Sequence, residues 1–458
     1  MKSRFFRIIV FILCFSIYSV SFSQVSDLDN RISRLDSLFG ELNRYGEFNG
    51  NVLVAEKGNV IFHKSFGISD AENELPLHLN SIFNIGSITK QFTATAILLL
   101  AKEGKISYND NISKYIPELS FYDRITIQNL IHHTSGLPDY TGLFQKGWEE
   151  SKIVTNIDII HRLQELKPAT EFEPNEKFEY SNTGYLLLAT IIERISKQQF
   201  SDFLKEKMFI PLKMNQTSIL FEYKDHLVNK NIAKSFHKDS SEIAYFRKFD
   251  GVYGQGRIYS TANDLFIWDR ALKDNKFLNQ EDKKEIFADS KLNSGESTSY
   301  GFGWFLSDDT IYGKIAYHSG YWSGYISQID RHLDKDITII ILTNNDNRTD
   351  KKRMPINEVR KIIYNQSIEK TLRLQDDLLK KYSGVYVNDK GKDEKILFEH
   401  HSLWTKGFEL IPISETKFKV NGFRPEVNYT FVIDSNGNVE KIRMEQIEQG
   451  VDEVFIRK

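Results

Sequence analysis

FNIGSITKQF, residues 83–92, places Ser87 and Lys90 three positions apart at the start of an apolar helical pattern. Ile88, Phe92, Ala94, Ala96, Ile97, Leu98, Leu99 and Leu100 follow, and Gly104 supplies a C-terminal stop. The segment is apolar nearly all round, which predicts a buried helix. Residues three apart share a helix face, so the Lys90 amine can reach over the Ser87 hydroxyl. A free serine is a weak nucleophile and needs a neighbouring base, together with donors that hold an oxyanion. At a helix start, unpaired N–H groups and the dipole favour developing negative charge. The geometry suits acyl transfer. An unpaired ammonium on a buried helix would be costly, so Lys90 requires a partner or a task.

The spacing alone is weak, because Ser-x-x-Lys also begins at Ser235, Ser367 and Ser414. Only the Ser87 copy opens a long apolar helix after a hairpin. That hairpin is NVLVAEKGNVIFHKSFG, residues 51–67, which alternates around Lys57-Gly58. Before it, Leu28, Ile32, Leu35, Leu38 and Phe39, followed by Gly40, predict a first helix over 25–45. Residues 106–300 are mainly helical in pattern, with loops at Pro117, Pro138, Pro168, Pro174 and Pro211, and a capping box at Thr261–Asp264. After Gly301 strands return: residues 314–332 and 336–345 flank Leu333-Asp334-Lys335 as a hairpin. A charged linker and helix, 347–371, then leads to short β-type runs over 376–458, which read as a separate small β-rich domain.

Two further stretches carry chemistry. FEYSNTGYLLLATIIERI, residues 178–195, puts Tyr180 and Asn182 at a helix start, where singly they read as a packing aromatic and a cap. YHSGYWSGYIS, residues 317–327, holds His318-Ser319-Gly320 on a strand, with a glycine that lets substrate backbone approach. Taken alone, His318 reads equally well as a structural histidine.

Bulk properties bound the function. At about 150 residues per domain, 458 residues imply two or three units, and 40% apolar with 13% aromatic content excludes wholesale disorder. Residues 1–23 begin with Lys2, Arg4 and Arg7, run apolar from Ile8 to Val20 and reach Ser21-Phe22-Ser23, the layout of a cleaved secretory signal; an uncleaved anchor is the other reading. Its removal moves the formal charge from −2 to −5, a poor balance for binding nucleic acid. Periplasmic or secreted localisation follows, with no stable membrane insertion after cleavage. Cys14 is the only cysteine and lies in that segment, so the mature chain uses neither disulfides nor thiol chemistry.

In this order, Ser-x-x-Lys, Tyr-x-Asn and His-Ser-Gly resemble the serine β-lactamases, penicillin-recognising D,D-peptidases and related esterases. The likeness is greatest to the class C branch, which has Tyr-x-Asn where class A enzymes have Ser-Asp-Asn. It spans about residues 40–365 and includes the phrases IHHTSGLPDY, GQGRIYSTANDL and YGFGW. The resemblance implies an α+β fold: an antiparallel sheet flanked by helices and built from both ends of residues 24–371, with an inserted helical lobe. It also implies that Ser87 is acylated, that Lys90 and Tyr180 handle protons, and that Asn182 bonds the lysine or the substrate amide. The N–H groups of Ser87 and Tyr321, after Gly320, would form the oxyanion hole, beside His318 and Ser319.

Lysine and tyrosine both titrate near ~10 when unperturbed, so the sequence leaves the base unassigned. Histidine at 318, with a reference value near ~6.5, is mostly neutral at pH 7 and holds an anion less firmly than the lysine common in β-lactam specialists. This lowers β-lactamase and raises esterase or D-amino-acid peptidase as the role. No cofactor is expected. No metal is expected either, since His132-His133 lack acid partners at ligand spacing. Gly254-Gln-Gly256 reads as a turn at the cleft edge, and Asn215-Gln-Thr217 as a glycosylation triplet relevant only in a glycosylating host. The leading expectation is an exported serine hydrolase acting on a small-molecule or peptide substrate. The competing one is a non-catalytic β-lactam or peptidoglycan-binding sensor, and the oligomeric state stays open.

Overall fold

The alternation of residues 51–67 closes as a hairpin of β1 (Gly50–Glu56) and β2 (Asn59–Phe66). Its turn residues Lys57 and Gly58 have φ of 50° and 79°, the left-handed conformations that a two-residue hairpin loop demands. The computed structural model describes residues 27–145, 147–149, 151–221, 230–236, 246–345, 354–368, 372–399, 401–420, 427–446 and 450–458. The expected signal, residues 1–23, and parts of the expected 347–371 linker lie outside these, as do Lys238 and Lys370 of two further Ser-x-x-Lys motifs. Two compact units emerge: Met1–Asp346 with Met354–Asn365, and Asn347–Arg353 with Gln366–Lys458.

In the first unit, β3 (Phe305–Asp309), β4 (Gly313–Trp322), β5 (Tyr325–His332) and β6 (Ile337–Thr343) complete a six-stranded antiparallel sheet of order β2-β1-β6-β5-β4-β3. Gly50 faces Thr343, so distant parts of the chain pair at the sheet centre. The run 314–332 is two strands rather than one, turning at Ser323-Gly324 with φ of 36° and 87°. Aromatic and small residues continue across that turn, so periodicity did not mark it.

The helices that matter here are α1 (27–44), α2 (Thr89–Lys102), α3 (Asn182–Ser196), α4 (Ala262–Ala271) and α5 (Ile356–Ile363). Successive strand residues point to opposite faces. Leu53, Ala55, Ile340 and Leu342 join the main core with α2, α3 and α4. Val52, Val54, Ile339 and Ile341 are buried on the other face. There Phe39 of α1 stacks on Phe62 at 6.4 Å, and Arg31 donates to the Ile363 carbonyl of α5 at 3.3 Å.

The expected first helix does form, as α1 over 27–44, with Leu35 and Phe39 anchoring it and one glycine costing a helix only about 1 kcal/mol. Local expectations fail where tertiary bonds take over. Pro211 lies in a helical turn, Ile210–Leu212, after a widened π turn over Lys205–Phe209 that absorbs the missing N–H. Thr261 caps α4 by accepting from Asp264 N at 3.1 Å, but the Asp264 carboxylate accepts from Gln216 N and Thr217 Oγ1 instead of closing the box.

The second unit is a closed antiparallel barrel preceded by α6 (Asp376–Tyr382). Its strands are β7 (Gly384–Val387), β8 (Asp393–Glu399), β9 (Ser402–Thr405), β10 (Phe408–Pro412), β11 (Lys417–Val420), β12 (Asn428–Ile433), β13 (Val439–Gln446) and β14 (Val451–Arg457). β7 closes on β14 through Tyr386–Arg457, which leaves no free edge. Tyr382 of α6 stacks on Phe431 inside at 4.4 Å. Among the described residues no helix is long and apolar enough to cross a membrane.

Candidate active site

Ser87 lies in a 3-10 turn, Gly86–Ile88, that leads directly into α2, so it precedes the α-helix by two residues instead of opening it. The turn is shaped by Asn84, whose side chain accepts from Gly86 N at 2.8 Å, and Gly86 takes φ of 50°. β4 runs against it. A Cβ at Gly86 would lie 2.5 Å from Tyr321 N, and one at Gly320 only 2.0 Å from the Ile85 carbonyl oxygen. Glycine at both positions is therefore what brings the Ser87 and Tyr321 backbones together.

Lys90 projects from the first turn of α2 and is fully buried. Its Nζ donates to Ser87 Oγ at 3.1 Å, Asn182 Oδ1 at 2.8 Å and the Gln255 carbonyl at 2.9 Å. It also lies over the Tyr180 ring, 4.7 Å from the centroid. None of these partners is an anion. Burial pulls the amine well below the usual lysine value, opposed only in part by the charge of Asp139.

The Tyr180 hydroxyl is buried without a hydrogen-bond partner, although the residue as a whole is only half-buried. Burial pushes its pKa up, with a smaller opposing effect from the Ser87 hydroxyl. Ser181, rather than Asn182, caps α3 by accepting from Gly184 N, which frees Asn182 to face Lys90.

His318 is buried, and both its ring nitrogens are engaged. Nδ1 lies 2.6 Å from the Ser319 carbonyl and must donate, so Nε2 accepts from the Tyr300 hydroxyl at 3.1 Å. Burial first, then the Lys90 charge, lowers its pKa to about 3. It is neutral at pH 7, and its donor serves the protein rather than a ligand. The Ser319 side chain is exposed, and the Tyr321 ring packs on Phe246 at 5.6 Å.

Three contributors take parts that the sequence reading did not give them. Gln255, from the Gly254-Gln-Gly256 turn, supplies the carbonyl that receives Lys90. Tyr300, from YGFGW, fixes the His318 tautomer. His133, at φ of 58°, accepts from Ser181 N at 3.0 Å through Nδ1 and from Glu179 N at 2.9 Å through its carbonyl, holding the Tyr180 segment from behind. His132 instead faces the Tyr300 carbonyl at 2.9 Å. Among the described residues no group of three or more His, Cys, Asp or Glu side chains could hold a metal.

Comparisons with known proteins agree with this architecture. The Beta-lactamase family profile matches residues 35–360. A penicillin-binding protein of Bacillus subtilis (strain 168) is 34% identical over 431 residues, covering 89% of this chain and 95% of the relative. The structure of the octameric penicillin-binding protein homologue from Pyrococcus abyssi superposes with a TM-score of 0.69 at 24% identity, covering 93% of this chain and 99% of that one. D-amino acid amidase from Ochrobactrum anthropi SV3, complexed with L-phenylalanine amide, gives a TM-score of 0.59 at 23% identity over 74% of this chain and 99% of its own. At these identities the two structures establish the fold alone. The family match over most of the chain, together with the Bacillus relative, establishes more: this chain belongs to the Beta-lactamase family of serine hydrolases.

Proposed function

We propose that the chain is an exported hydrolase that cleaves ester, amide or D-amino-acid peptide bonds through an acyl-enzyme on Ser87. The observation that carries this is the Lys90 amine, buried among neutral acceptors and 3.1 Å from Ser87 Oγ. As a neutral amine it donates to Asn182 and Gln255 and turns its lone pair to the Ser87 proton. Of the two candidate bases, burial moves Lys90 toward its proton-accepting form and Tyr180 away from it. Lys90 is thus the base for acylation, and Tyr180, kept protonated, is the donor to the leaving group.

In the reaction Lys90 takes the hydroxyl proton as Ser87 Oγ attacks the carbonyl. The Ser87 and Tyr321 N–H groups receive the oxyanion, and the leaving group departs with a proton delivered through Tyr180. Water then hydrolyses the acyl-enzyme. A neutral His318 with both nitrogens engaged offers no charge to a substrate carboxylate. This favours esters and amides over β-lactams as natural substrates. The name of the amidase accords with amides as substrates, whereas that of the Bacillus relative accords with acylation by a β-lactam.

Residues 24–371 carry this site, residues 376–458 form an accessory domain, and residues 1–23 direct export. N-terminal sequencing of the secreted protein tests the last point. The reaction is tested with nitrophenyl esters, D-Ala-D-Ala peptides and a chromogenic cephalosporin, on wild type beside Ser87→Ala, with fluorophosphonate labelling of Ser87. Turnover of an ester or peptide that Ser87→Ala abolishes supports the reading. An adduct that persists for hours without turnover supports the sensor instead.

A further inference from the structure

Residues 254–258 cradle the Ser87 turn from the side opposite β4. Thr93 Oγ1 donates to the Gly254 carbonyl at 2.6 Å, Lys90 Nζ to that of Gln255 at 2.9 Å, and Ile258 N to Thr89 Oγ1 at 3.2 Å. Ile85 N in turn donates to the Ile258 carbonyl at 2.9 Å. In the middle of this segment stands Arg257, with φ of 88°, a backbone conformation that strains any residue carrying a side chain.

The Arg257 side chain is fully buried. Nη2 pairs with Asp250 Oδ1 at 2.5 Å and donates to the Phe249 carbonyl at 3.3 Å. The guanidinium carbon sits 4.1 Å from the centroid of the Trp322 ring. Nε and Nη1 are buried with no hydrogen-bond partner.

Stability does not account for this residue. A buried ion pair is at best weakly stabilising, orphaned donors are costly, and glycine would occupy this φ without strain. What the arrangement achieves is connection. Trp322 follows Tyr321, whose N–H borders the Ser87 turn, and Gln255 lies two residues before Arg257.

We propose that Arg257 is a positioning residue for acyl transfer: clamped between Asp250 and Trp322, it keeps the Gln255 carbonyl on Lys90 and the Tyr321 N–H beside Ser87 in one fixed register. Arg257 touches no substrate and acts through these two groups. The proposal rests on Ser87 being the nucleophile.

The test uses the full chain as wild type, Arg257→Gly, Arg257→Lys and Trp322→Leu, measuring melting temperature, kcat, KM and the rate of fluorophosphonate labelling. Arg257→Gly relieves the backbone strain and is expected to stay folded, while kcat and labelling rate fall by about 10- to 100-fold at a KM within about twofold of wild type. Arg257→Lys recovers part of the loss, because it restores the cation opposite Asp250 but not the plane on Trp322. A folded Arg257→Gly protein with kcat within about twofold of wild type overturns the proposal. Should Arg257→Gly fail to fold, Trp322→Leu decides: a kcat lowered at least about tenfold at unchanged KM supports it, and a wild-type kcat overturns it. A labelled wild type with unaffected variants overturns this proposal alone, whereas a wild type that takes no label overturns the nucleophile reading and this proposal with it.

Discussion

Lys90 and Glu394 are both fully buried ionisable groups, one in each unit, and they are satisfied in opposite ways. In the barrel, the Glu394 carboxylate meets the Lys406 ammonium at 2.6 Å and the Thr405 hydroxyl. In the first unit, Lys90 meets a serine hydroxyl, an amide oxygen and a backbone carbonyl. The first arrangement sets a counter-ion beside the carboxylate and ties two strands together. The second surrenders charge easily, which is what proton transfer near neutral pH requires. Burial by itself does not mark a candidate site; burial without a counter-ion, against a serine hydroxyl, does.

The contrast breaks first at the proposed nucleophile and its amine. Ser87→Ala and Lys90→Met are each expected to lower kcat on a nitrophenyl ester by at least about 1,000-fold. Lys90→Met should melt no lower than wild type, because an apolar side chain replaces a desolvated amine. A Lys90→Met protein with near wild-type turnover would leave the two buried groups equivalent.

Next is the close approach of β4 to the Ser87 turn. Gly320→Ala places a Cβ about 2 Å from the Ile85 oxygen and should cost about 100-fold in kcat by displacing the Tyr321 N–H. Steady-state kinetics with a thermal melt separates this from unfolding. In the barrel, Glu394→Gln should cost about 1–3 kcal/mol in urea unfolding of that unit, with turnover per folded molecule unchanged. A loss of turnover there would mean that the barrel cluster is more than structural.

The smallest effects are in pH. If Lys90 acts as the proposed base, its neutral amine is the working form, so kcat/KM should rise with pH along an acid limb centred well below 10.5, and Lys90→Met should erase that limb. Folded Lys90 binds its proton less tightly than unfolded lysine does, so stability rises with pH between the lowered value and 10.5. Melting temperatures of Lys90→Met across that range should be flatter than those of wild type. His318 acts with the same sign at lower pH: its contribution is present above 6.5 and is lost as pH falls toward about 3. A His318→Gln variant should lose less stability on acidification over that interval.

Much of the site was legible because its members are held by short-range rules. Ser87 and Lys90 share a helix face through their spacing, and Gly320 stands out within a strand. Asn182 was legible only through family resemblance, since locally it resembles a cap, a part that Ser181 in fact plays. Gln255, His133 and Tyr300 act through bonds to residues 18 to 165 positions away, such as Tyr300 to His318 and Gln255 to Lys90. No local pattern encodes a backbone carbonyl that happens to face a distant amine. The missed turn in the fold, at Ser323-Gly324, has the same origin: packing decided where the strand folded back.

The sequence by itself determined the inventory: a hydroxyl and an amine on one helical face, alternating strands before and after a helical stretch, and a β-rich tail. Those properties follow from periodicity and spacing along the chain. Tertiary structure alone decided that Lys90 would be dry and without a counter-ion, that His318 would be neutral and fully engaged, and that the tail would close into a barrel. Each of these depends on which distant groups exclude water from which side chain, and solvent exclusion is a property of the packed chain as a whole.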